Sequence, residues 1–289
     1  MDIKGNLERT FIGIAFIWSY IFWAISIFIA VKGNVKMLEN ADLLAAILNN
    51  TLDSKLLTIA IINLIAGYGP MLAAIFITIL DPETKEYFRN KFRIQTQLKY
   101  SIHVIALFLI ITIIPTIPLL ISRGFALNIS VKWSLLGFLL LFFIYQFITA
   151  GTEEIGWRGY LLPVMLKKKT PWEASANIGI IWALWHAPIV LYLFYAQGLP
   201  FFQIILSYAG FIAGTIAMAT VHTYYYLKTK NILFNMFTHA ISNTIPMFIG
   251  MLIGSSFVIS IVIQVLLWGF LILISKFDKD LLDTMQEQI

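Results

Sequence analysis

Eight apolar runs of bilayer length decide what this chain can become. They cover residues 11–31, 56–80, 101–122, 133–153, 174–196, 202–227, 231–250 and 255–275. A helix needs about 20 apolar residues to cross a hydrocarbon core. The expected fold is an all-α polytopic membrane protein, a bundle of about eight transmembrane helices forming one integral-membrane domain over 1–289. Charge agrees: only 12% of the residues are charged, against about 25% in a soluble domain. The first run is long enough to span, and no small-residue cleavage site follows it, so it reads as a membrane span and not as a cleaved signal. The chain has no cysteine, which excludes disulfides, thiolate metal sites and a cysteine nucleophile.

The net charge of +5 does not point to nucleic acid, because the cations sit in short loops between the runs. Of the twenty, fourteen fall on the side of the two termini and five on the other, with Arg158 belonging to the polar motif that follows the fourth run. Positive charge collects in cytoplasmic loops, so both termini are expected in the cytoplasm. The connector 81–100 mixes Tyr87, Phe88, Phe92 and Ile94 with five cations. It reads as a segment lying on anionic headgroups, with a substrate-docking surface as the alternative.

Two runs carry internal punctuation. Gly67-Tyr68-Gly69-Pro70 interrupts the second, and predicts a kink whose freed backbone groups find partners in neighbouring protein. Gly210 and Gly214 form a GxxxG pair that suits close helix contact.

Polar chemistry is concentrated in three runs. Glu153 and Glu154 are the two carboxylates, of fifteen in the chain, that sit within a continuing apolar helix. Ionisable groups inside a membrane are expensive and mark functional sites. The helix is expected to continue through Arg158. Residues four apart share a helix face while adjacent residues diverge by about 100°. Glu154 and Arg158 are therefore expected to pair, leaving Glu153 without a local partner. A desolvated carboxylate of that kind suits general-base chemistry near neutral pH. Trp182 and His186 lie one turn apart, and Pro188 cannot donate to the carbonyl of Leu184, which opens the helix beside the histidine. His239 and Asn243 also lie one turn apart, with Pro246 beyond, and are placed to donate to a developing oxyanion. His222 and His103 read as structural hydrogen-bonders. Counting from the cytoplasmic helix ends at about 1.5 Å per residue places these groups at matched depth. They would meet in the inner half of the membrane, around a cavity open to the cytoplasm or the inner leaflet.

Together these segments resemble the CAAX protease and bacteriocin-processing family, which includes the Ras-converting type II CAAX prenyl endopeptidases. Glu153, Glu154 and Arg158 match its paired glutamates and following arginine. Trp182 and His186 match its aromatic and histidine, with Trp where Phe is more usual. His239 and Asn243 match its third motif, and Gly69 to Ala74 looks like an element of its second span. The resemblance covers about 56–250, the expected catalytic core.

It implies an intramembrane endopeptidase of the plasma membrane, hydrolysing a peptide bond near the C-terminus of prenylated or membrane-embedded substrates. Glu153 and His186 would activate water, His239 and Asn243 would stabilise the oxyanion, and Glu154, Arg158 and Trp182 would support them. No cofactor is expected to be required. The chain lacks the HExxH signature of zincins. The alternative is zinc held by Glu153, His186 and His239. A non-hydrolytic bacteriocin-immunity or scaffold protein of the same fold is the competing function. A transporter is disfavoured because the chain shows no internal repeat.

Overall fold

The computed structural model describes residues 7–80, 85, 86, 88, 90–94, 97–127 and 135–278. Parts of the connector 81–100 and the start of the fourth run at 133 lie outside them. The described residues are helical and contain no strand. In chain order the helices are α1 (Leu7–Gly33), α2 (Asn40–Leu48), α3 (Ser54–Gly67), α4 (Gly69–Leu80), α5 (Leu98–Ser122) and α6 (Leu135–Ile148). They continue with α7 (Glu153–Gly156), α8 (Leu162–Leu166), α9 (Pro171–Ala196), α10 (Phe201–Thr229), α11 (Ile232–Ile253) and α12 (Phe257–Phe277). Among the described residues, seven helical segments are long and apolar enough to cross a membrane, and α3 with α4, bent by 43°, makes an eighth if the pair is one broken span and not a re-entrant loop. The protein is an integral membrane protein.

Short polar loops start the helices. Thr170 and Glu173 form a capping box ahead of α9, with Pro171 in its first turn. The side chains of Asp53, Asn231 and Ser256 accept the N–H of Leu56, Phe234 and Ile259. Each satisfies one of the orphan donors at a helix start. Ile17, Ile79, Leu136 and Val265 face outward among many exposed apolar side chains, as lipid-facing positions do.

The bend between α3 and α4 falls at Tyr68, inside the Gly-Tyr-Gly-Pro element. Its carbonyls are met by α1: Ser19 Oγ donates to Ala66 O at 2.7 Å, and Trp18 Nε1 donates to Ile65 O at 2.8 Å. Gly69 lies so close to Ala15 and Ser19 that a Cβ there would collide with both. The expected GxxxG contact holds at one glycine only. Gly214 packs against Gln264 of α12, whereas Gly210 has no neighbour. The tight crossing of α9 and α10 uses Gly179 instead, whose missing Cβ admits the backbone of Ile216.

The described part of the connector folds back on the bundle. Phe88 and Phe92 pack against the main core. Lys91 O accepts from Ile232 N at 3.0 Å, and Arg93 O accepts from Asn231 Nδ2 at 2.6 Å. Its main chain thus completes the start of α11. Ile94 remains exposed.

Candidate active site

The helix that carries the two glutamates is irregular. After α6 ends, Ala150–Thr152 form a 3₁₀ turn, and Trp157–Leu161 form a π-turn between α7 and α8. Such single wide turns are rare and gather at functional sites. The regular helix expected through Arg158 is thus interrupted twice. Glycines let this segment sink into the bundle. A Cβ at Gly151 would press on Met236 and on the carbonyl of Gln146, and one at Gly156 would collide with Pro70. Glu153 and Glu154 are buried as a result.

Glu154 and Arg158 form the expected pair across one turn, at 3.0 Å, both fully buried. Arg158 Nη2 also donates to Ala219 O at 3.1 Å. On its other side Glu154 Oε1 lies 3.0 Å from Nδ1 of His239. A carboxylate without a proton only accepts, so Nδ1 carries the hydrogen and Nε2 is left for other work. His222 is fully buried, with its ring 5.1 Å from that of His239. Its Nδ1 is 3.8 Å from Glu154 Oε2, and the Asn235 side chain is its other polar neighbour. His103 sits 3.4 Å from the hydroxyl of Tyr225.

Glu153 turns away from this pair and takes its partner from α9. Trp182 Nε1 donates to Glu153 Oε2 at 2.8 Å. The same tryptophan's carbonyl lies 3.0 Å from His186 Nδ1. A carbonyl only accepts, so Nδ1 of His186 is protonated and Nε2 of the neutral ring is an acceptor. Trp182 is therefore more than an aromatic wall: it touches the carboxylate and fixes the imidazole. The ring of His186 is wedged against Trp185 and Phe211, with centroids at 4.4 and 5.8 Å. The Leu184 carbonyl freed by Pro188 is taken by the hydroxyl of Tyr20 at 2.7 Å.

Asn243 Nδ2 donates to Gln146 Oε1 at 2.9 Å. Gln146 is buried, and sequence reasoning passed over it, although a lone glutamine in an otherwise apolar run was the available signal. An amide nitrogen carries two hydrogens, so one N–H of Asn243 is left for a ligand.

Glu153, Trp182, His186, His239 and Asn243 all line one cavity of about 480 Å³. An adjoining chamber of about 600 Å³ shares Asn40, Ser242, Asn243 and Pro246 with it, and is bounded by Met37 to Ala41 and by Leu193.

Glu153, His186 and His239, the alternative zinc set, are not the groups whose ligand atoms converge. Among the described residues those are Glu154, His222 and His239, all within 4.8 Å of one another. This set fits a divalent cation poorly, because the guanidinium of Arg158 already occupies the Glu154 carboxylate and would repel a metal ion there.

Residues 132–245 match the family model described as "Type II CAAX prenyl endopeptidase Rce1-like". A curated relative, CAAX prenyl protease 2 of Methanococcus maripaludis, is 31% identical over 97 residues, which is 33% of this chain and 36% of the relative. The aligned part thus spans about a third of either protein. The family match takes in both glutamates, Arg158, Trp182, His186, His239 and Asn243. Over its central segment, the chain is therefore similar to the type II CAAX prenyl endopeptidases that its three motifs resemble.

Proposed function

We propose that this protein is an intramembrane endopeptidase of the CAAX prenyl protease type. It would cleave a peptide bond near the C-terminus of a prenylated or membrane-embedded substrate in the cell membrane. The observation that carries this reading is the convergence of Glu153, His186, His239 and Asn243 on one cavity inside an apolar bundle. A scaffold or immunity protein has no use for that set.

Each group has a task. Water in the cavity is held by the Glu153 carboxylate and His186 Nε2, and Glu153 takes its proton as the oxygen attacks the peptide carbonyl carbon. The developing oxyanion is met by the remaining N–H of Asn243 and by His239. With Nδ1 already committed to Glu154, His239 donates from Nε2 in its imidazolium form, and the Glu154 carboxylate stabilises that charge. Collapse of the tetrahedral intermediate breaks the C–N bond, and the proton held by Glu153 passes to the leaving amine. Phe108, Ile111, Ile263 and Leu267 give the same cavity an apolar wall suited to a lipid chain. No step needs a metal, in keeping with a donor set that Arg158 spoils for a cation.

The test is cleavage of a farnesylated peptide ending in a CAAX sequence by the purified protein in detergent, with products weighed by mass spectrometry. Release of the last three residues, unchanged by a chelator, is expected. Activity lost to the chelator and restored by zinc would overturn the metal-free mechanism. Intact peptide at high enzyme concentration would count against this substrate class.

A conservative change probes Trp182. Phenylalanine keeps the aromatic ring and the backbone carbonyl that holds His186, but removes the N–H given to Glu153. Hydrogen bonds to charged groups contribute about 1.5–3 kcal/mol. Trp182→Phe is expected to lower kcat by roughly tenfold and to cost about 1.5–3 kcal/mol of stability. An unchanged pH–rate profile and kcat would show that the indole contact has no part in the reaction.

A further inference from the structure

We propose that the water consumed in hydrolysis reaches Glu153 by a route of its own, a second cavity between α3 and α6 that stays hydrated while the larger cavity holds the substrate. The proposal rests on the endopeptidase reading for the use made of that water.

Each turnover consumes one water. A lipidated peptide brings apolar surface into the cavity around Trp182 and His186, and water entering the same way would have to pass the bound chain. Glu153, however, lines two cavities. The smaller has a volume of about 160 Å³ and is walled from α3 by Ile59, Ala60, Asn63 and Gly67, and from the end of α6 by Tyr145 and Thr149. Residues three, four and seven apart share a helix face, so each helix gives this cavity one side. Among the described residues, α3 gives the larger cavity none of its wall. A water needs roughly 10–15 Å³ of such space, so several fit.

An apolar void stays dry, and a hydrated one needs two to four polar partners for each water. They are present here. Asn63 accepts from Ser26 Oγ at 2.6 Å and gives one N–H to Met37 Sδ at 3.8 Å, which leaves its second N–H. Tyr145 donates its hydroxyl to Asn40 Oδ1 at 3.2 Å, and Thr149 donates its own to Tyr145 O at 2.7 Å. Both oxygens keep lone pairs for a further donor. Asn63, Tyr145 and Thr149 are only part-buried, and Asn40, also on this wall, is exposed. Polar groups therefore run from the surface at Asn40 to the carboxylate-bearing Glu153. Small residues keep the way clear. A Cβ at Gly67 would meet no atom within 4 Å.

The chain has no cysteine, so each introduced thiol is unique. The full-length protein carrying Glu153→Gln is placed in liposomes with a charged methanethiosulfonate on both faces. The reagent attacks a thiolate, which apolar surroundings suppress. Ala60→Cys, on the smaller cavity, and Ile263→Cys, on the larger, are expected to react, and the lipid-facing Ile79→Cys is not. A farnesylated CAAX peptide should protect position 263 and leave position 60 reactive. In protein that retains Glu153, Gly67→Leu should then lower kcat by roughly tenfold without weakening peptide binding, since each decade of rate is one added step in barrier height. Ala60→Leu is the second plug if Gly67→Leu fails to fold. A thiol at position 60 as inert as that at 79 would overturn the route. So would protection at both positions, which means one shared mouth at Asn40, or at neither. Unchanged kcat in both plugged variants would overturn it as well. The expected labelling and protection without cleavage by the wild-type protein would uphold the separate hydrated route and sink the endopeptidase reading.

Discussion

Glu153→Gln should lower the turnover of a farnesylated peptide by on the order of 10³-fold, within the range that a general base supplies. The substitution is nearly isosteric. Its carboxamide oxygen still accepts the indole N–H of Trp182, so the packing of α9 against the glutamate helix survives. What disappears is the capacity to take a proton from water. The loss should therefore fall on kcat, with KM and the melting temperature near their wild-type values. That is the pattern of an interaction made only in the transition state. Release of the C-terminal tripeptide, followed by mass spectrometry, reads the first quantity, and thermal unfolding in detergent reads the last. Turnover within tenfold of wild type would remove Glu153 from the chemistry and leave His186 Nε2 as the base.

The second large effect concerns stability. Arg158 and Glu154 are both fully buried and in contact. Removing one partner of such a pair strands a charge and costs about 3–5 kcal/mol, whereas replacing both with apolar residues is often nearly neutral. Arg158→Leu alone is expected to unfold at a much lower temperature than wild type. The double variant Glu154→Leu with Arg158→Leu should recover most of that loss. Turnover should not return with it, because His239 Nδ1 has lost the carboxylate that holds it. Recovered stability with recovered turnover would show that the pair serves folding alone and that His239 needs no orienting partner.

What was legible in the sequence follows from which forces act locally. Spans announce themselves through continuous apolar length, and the kink at Tyr68 through glycine and proline, because both signals are confined to a few neighbouring residues. The Glu154–Arg158 pair was legible for the same reason, since one helical turn fixes it. Contacts across helices were not. That Trp182 donates to Glu153 depends on how α9 rotates against the glutamate helix. Neither of the two π- and 3₁₀-turns beside Glu153 has a simple periodic signature. The glycine pair at Gly210 and Gly214 misled for a related reason: spacing says that two glycines share a face, not that a helix lies opposite both.

The contacts made by α1 separate this protein into parts proposed to react and parts that hold. Trp185, beside His186, donates to Ser19 Oγ at 2.7 Å, and that hydroxyl passes the bond on to Ala66 O. Tyr20 takes the Leu184 carbonyl one residue further back, and Trp23 stacks on the His186 ring at 6.0 Å. Every side chain proposed to react lies between 153 and 243, while these struts stand a hundred or more residues earlier. Selection can therefore act on the two sets at different rates. The chemistry tolerates few spellings, but a strut needs only to be a hydroxyl or a ring at the right height. Chimaeras that graft the 153–243 stretch onto a relative's first helix would carry the site residues over without their alignment. Compatibility of such grafts would be governed by positions 19, 20 and 23, not by the overall resemblance of the two parents.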